Sequence, residues 1–342
     1  MAKVNKEIDN FAEKIAQAVD RKIIEVLDLG VDKKIKNLVN YQAISGGKRL
    51  RPMLAILSCL MCGGKLKDVL YPAAGLEILH NHSLIIDDII DDSKTRRNRT
   101  TLWAKFGRST AECVSIDYAA ATFQAANRSK NPIKISEVFS RIMKSLVEGE
   151  ILDNLFDIKK RKEEIYIVQN RYKKVLLADY LNMIGKKTAV LTENCCEVGG
   201  LCAGVKKSQI EHLKKFGFCI GMAGQIKDDI LDVFGEDKII GKKVGKDIMQ
   251  GCRGNIVILT AMGELSGMDK TIFCKVLCKD KVNDKEIKVA INLIKKTDSY
   301  QKSMKIGRSF AAKAKKELGF LPQNKWNDAL NKLADFIIER ER

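Results

Sequence analysis

Proline is scarce in this chain, with 4 in 342 residues: Pro52, Pro72, Pro132 and Pro322. A sheet protein of this length needs many more breakers at its turns, so an all-β fold is excluded. Cysteine is also sparse, at 10 residues, well below the density of a disulfide scaffold. The cysteines sit in apolar context, as in SCLMC (Cys59, Cys62) and ENCCEV (Cys195, Cys196). Cys59 and Cys62 have no second pair at zinc-ribbon spacing, and only 3 histidines are available to help them. They read as buried thiols kept reduced in a cytoplasm. Long apolar runs are missing too. The longest, Met53 to Cys62, is about half of the ~20 residues a membrane span requires. The opening MAKVNKEIDNFAEKIAQAVDRKIIEVLD is an amphipathic helix carrying acids, unlike a signal peptide. No short repeat and no low-complexity linker divides the chain. A soluble, cytoplasmic protein with one domain over 1–342 is expected.

What is present is helical. Hydrophobic residues make up 45% and charged residues 30%, enough for a large core and an ordinary wet surface. Ile8, Phe11, Ile15 and Val19 recur every three or four residues, the period of a helix face. A glycine-opened loop, SGGKRLRP, precedes the helix MLAILSCLMC, which Gly63 and Gly64 end. Another helix is expected to begin near Pro72, a residue suited to a first turn. It runs through AAGLEILHNHSLIIDDIIDD to a basic turn, SKTRRNRT. Further helices read through EVFSRIMKSLVEGEILDNLF, YKKVLLADYLNMIGKKTAVLTENCCEV and SQIEHLKKFGFCIGMAGQIKDDILDVFG. The glycine-punctuated, lysine-rich EDKIIGKKVGKD reads as a mobile surface loop.

Four aspartates, Asp87, Asp88, Asp91 and Asp92, interrupt one apolar helical run. Aspartate is a poor helix former, and like charges four apart repel, so stability does not explain them. At ~100° per residue, Asp87 and Asp91 project within about 40° of each other, one turn apart. Carboxylates so placed can grip hard divalent cations, and magnesium takes a few carboxylates with water and phosphate in its other positions. A second cluster, Asp228, Asp229 and Asp232, repeats the DDxxD spacing. Either alone can be a solvated acidic face; the pair is a much stronger signal.

The chain carries a net charge of +18, which suits polyanionic partners. Lys48, Arg49 and Arg51 lie in the glycine-opened loop, and Arg96 and Arg97 follow the first acidic run. Lys186 and Lys187 precede Thr188, and Lys242 and Lys243 lie in the second glycine loop. Guanidinium groups bind phosphate in bidentate fashion, and lysines add point charge. Paired carboxylates with arginines, and no nucleophile–histidine pair, describe a site that handles diphosphates electrostatically.

These motifs resemble those of the trans-isoprenyl diphosphate synthases, the family of farnesyl and geranylgeranyl diphosphate synthases and their prokaryotic short-chain relatives. The resemblance runs through GGKRLRP, ExxHxxSL (Glu77 to Leu84), DDIIDDSKTRR, GEILD (Gly149 to Asp153), GKKTAVL, GQIKDDILD, GKKVGKD and ALNKLADFIIERE. That is nearly the whole chain in family order. It implies an all-α fold, a single large helical bundle of the isoprenoid synthase type around a central cavity, and a homodimer. It also implies a head-to-tail prenyltransferase acting on isopentenyl diphosphate and allylic diphosphates, with release of the product by peripheral membrane contact.

Three magnesium ions would join the allylic diphosphate to both aspartate clusters. Asp87, Asp91 and Asp228 would be direct ligands, with Asp88, Asp229 and Asp232 completing the catalytic set. Lys48, Arg51, His80 and Arg97 match the isopentenyl diphosphate pocket. Arg96, Lys187, Thr188, Gln225 and Lys242 match the allylic side. In the family, bulky residues four or five positions before the first DDxxD form the floor for the growing tail. Those positions here are Ser83 and His82, which imply mainly C20 product with some C15.

Departures from the pattern exist. The usual GKxT element reads GCRGN, with Cys252 at the lysine position and Arg253 as the neighbouring cation. Ile86 replaces the histidine usual before the first DD. The GDxLL pattern appears as SIDYAA, Ser115 to Ala120, crowding a helix where glycine is usual. Tyr180, Phe123 and Phe156 read as aromatic wall or plain core.

Three alternatives compete. A class I terpene cyclase also uses an aspartate-rich magnesium site but normally lacks the second DDxxD and GGKRLRP. A weakly active or regulatory synthase subunit usually loses one aspartate motif. A nucleic-acid binder is suggested only by the charge, without aromatic–basic interleaving or a helix-turn-helix or zinc signature.

Overall fold

The computed structural model describes residues 2–157, 159, 161–235 and 244–340. Among the described residues the regular structure is helical but for one small hairpin, as expected for the all-α class. The chain divides into two compact units, each assembled from three stretches.

Unit 1 comprises residues 1–144, 191–217 and 318–330. It contains α1 (Ala2–Leu27), α2 (Lys36–Ala43), α3 (Leu50–Met61) and α4 (Leu66–Ile90). The hairpin β1 (Thr95–Arg96) and β2 (Arg99–Thr100) follows, with Thr95 opposite Thr100. Then come α5 (Leu102–Phe106), α6 (Arg108–Ala126) and the first half of α7 (Pro132–Phe156). Unit 1 also holds α10 (Val190–Ala203) and the start of α11 (Lys207–Phe234). Helix α4 is its centre, apolar nearly all round, with Leu76, Ile78 and Leu79 fully buried, as a surrounded helix must be. Gly75 is required there: a Cβ would come within 3.0 Å of Ala125 on α6 and 2.9 Å of the Phe139 ring on α7.

Helix α4 starts six residues before Pro72 rather than near it, so proline sits inside the helix. Its missing N–H leaves the Asp68 carbonyl without its helical partner. The buried apolar surface that follows holds the helix together across that gap. The other end also differs from expectation. The helix stops at Ile90, Asp91 is the cap, and Asp92 turns to a φ of 50°. Acids gathered at a helix C-terminus oppose its dipole, which favours termination there.

Unit 2 comprises residues 145–190, 218–317 and 331–342. It contains the rest of α7, α8 (Ile165–Asn170), α9 (Leu177–Ile184) and a π-turn at Gly185–Ala189. After α11 come α12 (Lys246–Gln250), α13 (Ile256–Glu264), α14 (Gly267–Cys278), α15 (Asp284–Ile294), α16 (Ser299–Leu318) and α17 (Lys325–Glu339), the last beginning in unit 1. Gly149 explains the glycine of GEILD: a Cβ there would lie 2.4 Å from the Lys187 backbone nitrogen, so α7 packs directly on the π-turn. Among the described residues, no helix is long and apolar enough to cross a membrane.

Candidate active site

In unit 1 the basic loop and the end of α4 form one network. Arg49, in the left-handed region at φ 46°, is buried and donates to Asp20 at 2.7 Å, Glu77 at 2.9 Å and the Ala43 carbonyl at 2.9 Å. It is the strut that fixes the loop, while Lys48 beside it is exposed. Arg51 donates through Nη1 to His80 Nε2 at 3.0 Å. A guanidinium only donates, so Nε2 carries no proton. Burial first, then Arg51 and Arg97, push the His80 pKa well below its usual value, and the ring is neutral. Arg51 Nε is buried and meets no acceptor among the described residues, an unusual state for such a donor.

Arg97 and Asn98 both take positive φ, 51° and 59°, the signature of a type I′ hairpin turn. Arg97 donates to the Gly46 carbonyl, and its guanidinium lies where a Cβ on Gly47 would stand, 2.7 Å away. A non-glycine residue held in this region costs ~1–3 kcal/mol, so the strain is spent at a basic residue of the site. Arg96 donates to Asp88 at 2.9 Å, joining the basic cluster to the carboxylates. Asp91 N donates to the Asp87 carbonyl at 2.8 Å, so the two residues stay one turn apart. Asp92 is committed elsewhere, to Arg108 at 2.6 Å.

In unit 2, Thr188 Oγ1 donates to Gln225 Oε1 at 3.0 Å, and Gln225 Nε2 donates to Asp229 Oδ1 at 2.9 Å. Tyr180 Oη and the Ile256 N–H both donate to Asp229 Oδ2, at 2.8 and 3.0 Å. Burial, with Asp247 adding to it, raises the Asp229 pKa well above the carboxylate range, and these donors oppose the shift. Asp232 accepts from Asp247 N at 3.1 Å. Asp228 is exposed and paired with Arg340 at 2.9 Å. Lys187 pairs with Glu150 at 2.7 Å and Asp153 at 2.6 Å.

The geometry thus divides the six aspartates expected to be catalytic. Asp88, Asp229 and Asp232 are buried and bonded within the protein, whereas Asp87 and Asp91 are half-buried and Asp228 exposed. The last three are the ones expected to bind metal. Arg253, the cation next to Cys252, is committed to backbone carbonyls. Its guanidinium donates to the Phe156, Lys173 and Tyr172 carbonyls at 2.9, 3.1 and 2.5 Å. Lys242, Lys243 and most of the second glycine loop lie outside the described residues.

Sequence reasoning missed Tyr180 as a hydrogen-bond donor, having read it as wall or core. It also missed Asn255, which caps α13 and donates to Asp247 at 2.8 Å; asparagine before the apolar run IVILT was the available signal. In the SIDYAA segment, expected to crowd its helix, Ile116 is exposed, while Ser115 is buried and bonded to His82.

Two helical units carrying carboxylates, arginines and lysines define a diphosphate-handling enzyme of the all-helical class. The model of the polyprenyl synthetase family matches residues 32–294, and the chain belongs to that family: it is a prenyltransferase, a trans-isoprenyl diphosphate synthase. It is 32% identical to the short chain isoprenyl diphosphate synthase of Methanocaldococcus jannaschii over 85% of each chain. It is 28% identical to the geranylgeranyl diphosphate synthase of Methanosarcina mazei, covering 98% of this chain and 97% of that one. Its fold matches the crystal structure of geranylgeranyl pyrophosphate synthetase from Pyrococcus horikoshii with a TM-score of 0.85, at 30% identity over 99% of both chains.

Proposed function

We propose that this chain condenses isopentenyl diphosphate with allylic diphosphates and makes mainly the C20 geranylgeranyl diphosphate, with the C15 farnesyl diphosphate as intermediate and minor product. The observation that carries the reading is the network of unit 1. A carboxylate-bearing helix end is tied through Asp88 and Arg96 to a cluster of Arg51, His80 and Arg97, whose Arg51 Nε lacks an acceptor among the described residues. Relatives named for short-chain and geranylgeranyl products support the chain length.

The donor set fits magnesium. It consists of carboxylate oxygens, the hard donors this ion prefers. Asp87, Asp91 and Asp228 would hold it, three ions in a complete site, and its charge would neutralise the departing diphosphate. Lys48, Arg51 and Arg97 hold isopentenyl diphosphate, and neutral His80 keeps Arg51 in place without adding charge. Arg96, Lys187, Thr188, Gln225 and Lys242 serve the allylic diphosphate. Its C1–O bond breaks and the electron pair leaves with the diphosphate. The isopentenyl double bond then attacks C1, and the proton lost afterwards goes to the diphosphate.

The two units act as one domain, since the family match runs through both. The enzyme works in the cytoplasm as a homodimer, for which exposed Ile116 on α6 and Ile133 on α7, both in unit 1, offer apolar surface. Ile165, Tyr166, Leu176 and Leu177, also exposed, are available for transient membrane contact during product release.

His82 and Ser83 set the length. His82→Ala should lengthen the product towards C25, and His82→Phe with Ser83→Phe should shorten it to C15. The direct test is incubation with labelled isopentenyl diphosphate and dimethylallyl, geranyl or farnesyl diphosphate, with products sized by chromatography. C20 from each starter is expected; cyclised hydrocarbon, or no incorporation of label, would refute the reading.

A further inference from the structure

Ser115 lies in the segment of α6 that departs from the family pattern, and the structure gives it a partner. It is buried, and its carbonyl oxygen and Oγ lie 2.9 and 2.8 Å from Nδ1 of His82 on α4. A carbonyl can only accept, so Nδ1 carries the hydrogen and donates it, with Oγ as a second acceptor. Burial holds the His82 pKa below its ordinary value of 6.5. The ring is therefore neutral near pH 7, with its tautomer set by Ser115 and Nε2 bare. Ser83 makes no comparable reach, since its Oγ bonds the His80 carbonyl of its own helix at 2.9 Å. Close packing of α4 on α6, enforced at Gly75, brings the two helices within range of this contact.

We propose that Ser115 is a positioning residue that sets product length by clamping the His82 ring, an inference that rests on the reading of His82 as the floor. An imidazole with rotamer freedom can turn aside for one more five-carbon unit. One gripped at Nδ1 by two groups of a buried residue cannot turn without breaking both contacts. The serine thus gives a polar ring the partner it needs in a place that must stay rigid.

The test compares wild type, Ser115→Ala, His82→Ala and the double variant, with labelled isopentenyl diphosphate and farnesyl diphosphate as substrates. Alanine removes Oγ and leaves the carbonyl, so a partial effect is expected. Ser115→Ala should raise the ratio of longer product to C20 by roughly two- to tenfold, the worth of one neutral hydrogen bond. It should add nothing in the His82→Ala background, because both act through one ring. Nitrogen-15 shifts of the wild-type imidazole should report the Nδ1–H tautomer. Wild-type products from Ser115→Ala, with longer ones from His82→Ala, would overturn the clamp and leave the floor standing. Unchanged products from His82→Ala would overturn the floor and the clamp with it. An equal Ser115→Ala effect in both backgrounds would show packing at work and refute action through the ring, as would an Nε2–H tautomer.

Discussion

Position 252 carries a thiol where the expected GKxT element would place lysine, and acids lie around it. Cys252 is half-buried, and burial together with Asp153 and Asp247 pushes its pKa well above the usual thiol value. A cation there would meet those carboxylates and stand ready for phosphate, and Arg253 is bound to three carbonyls. Cys252→Lys should therefore lower the KM for the allylic substrate about tenfold, as a charge-assisted hydrogen bond is worth ~1.5–3 kcal/mol; an unchanged KM in steady-state assays would mean that another cation already serves. His80 makes a pH prediction. Its folded pKa is depressed below 6.5 by burial and by Arg51 and Arg97. Below that pH the unfolded chain binds a proton the folded chain refuses. Stability is then full above pH 6.5 and is lost as pH falls from 6.5 towards the folded value. Thermal melts from pH 7.5 to 5 should show this slope, and His80→Gln should flatten it.

Helices rather than single side chains decide how much of this molecule is legible in its sequence. The periodicity of α1, α4 and α11 and the two DDxxD runs are local signals, and they place the helices and the acidic clusters. The end of α4 is harder to place: the repeating DDIIDD run carries the helical pattern past Ile90, and the acids gathered there, which oppose the helix dipole, favour the stop at Ile90. Partnerships between elements were hidden as well. Arg49 looks like Lys48 and Arg51 on paper, yet Asp20 on α1 and Glu77 on α4 turn it into a strut. Tyr180 gains its role only because α11 brings Asp229 to it. Arg49→Met leaves Glu77 buried without its partner and should cost ~3–5 kcal/mol in denaturant unfolding. Gly149→Ala places a Cβ against the Lys187 backbone, which cannot yield as a flexible side chain would. A loss of ~1–3 kcal/mol is expected, together with a raised KM for the allylic substrate as Lys187 and Thr188 are displaced.

At the scale of the whole molecule, a chain of net charge +18 carries two acidic DDxxD clusters, the combination that the proposed handling of small diphosphates uses. Each compact unit carries one cluster, Asp87 to Asp92 in the first and Asp228 to Asp232 in the second. In each, buried aspartates are fixed by donors while others stay accessible. The central claim is that Asp87 and Asp228, the accessible leading aspartates of the two clusters, are needed for turnover and not for the fold. Turnover of Asp87→Ala and of Asp228→Ala, measured with farnesyl and isopentenyl diphosphates at saturating magnesium beside far-ultraviolet circular dichroism, tests it most directly. A loss of at least about 10²-fold in each variant, with the helical spectrum unchanged, is the expected result. Near-normal magnesium-dependent turnover in either variant would contradict it.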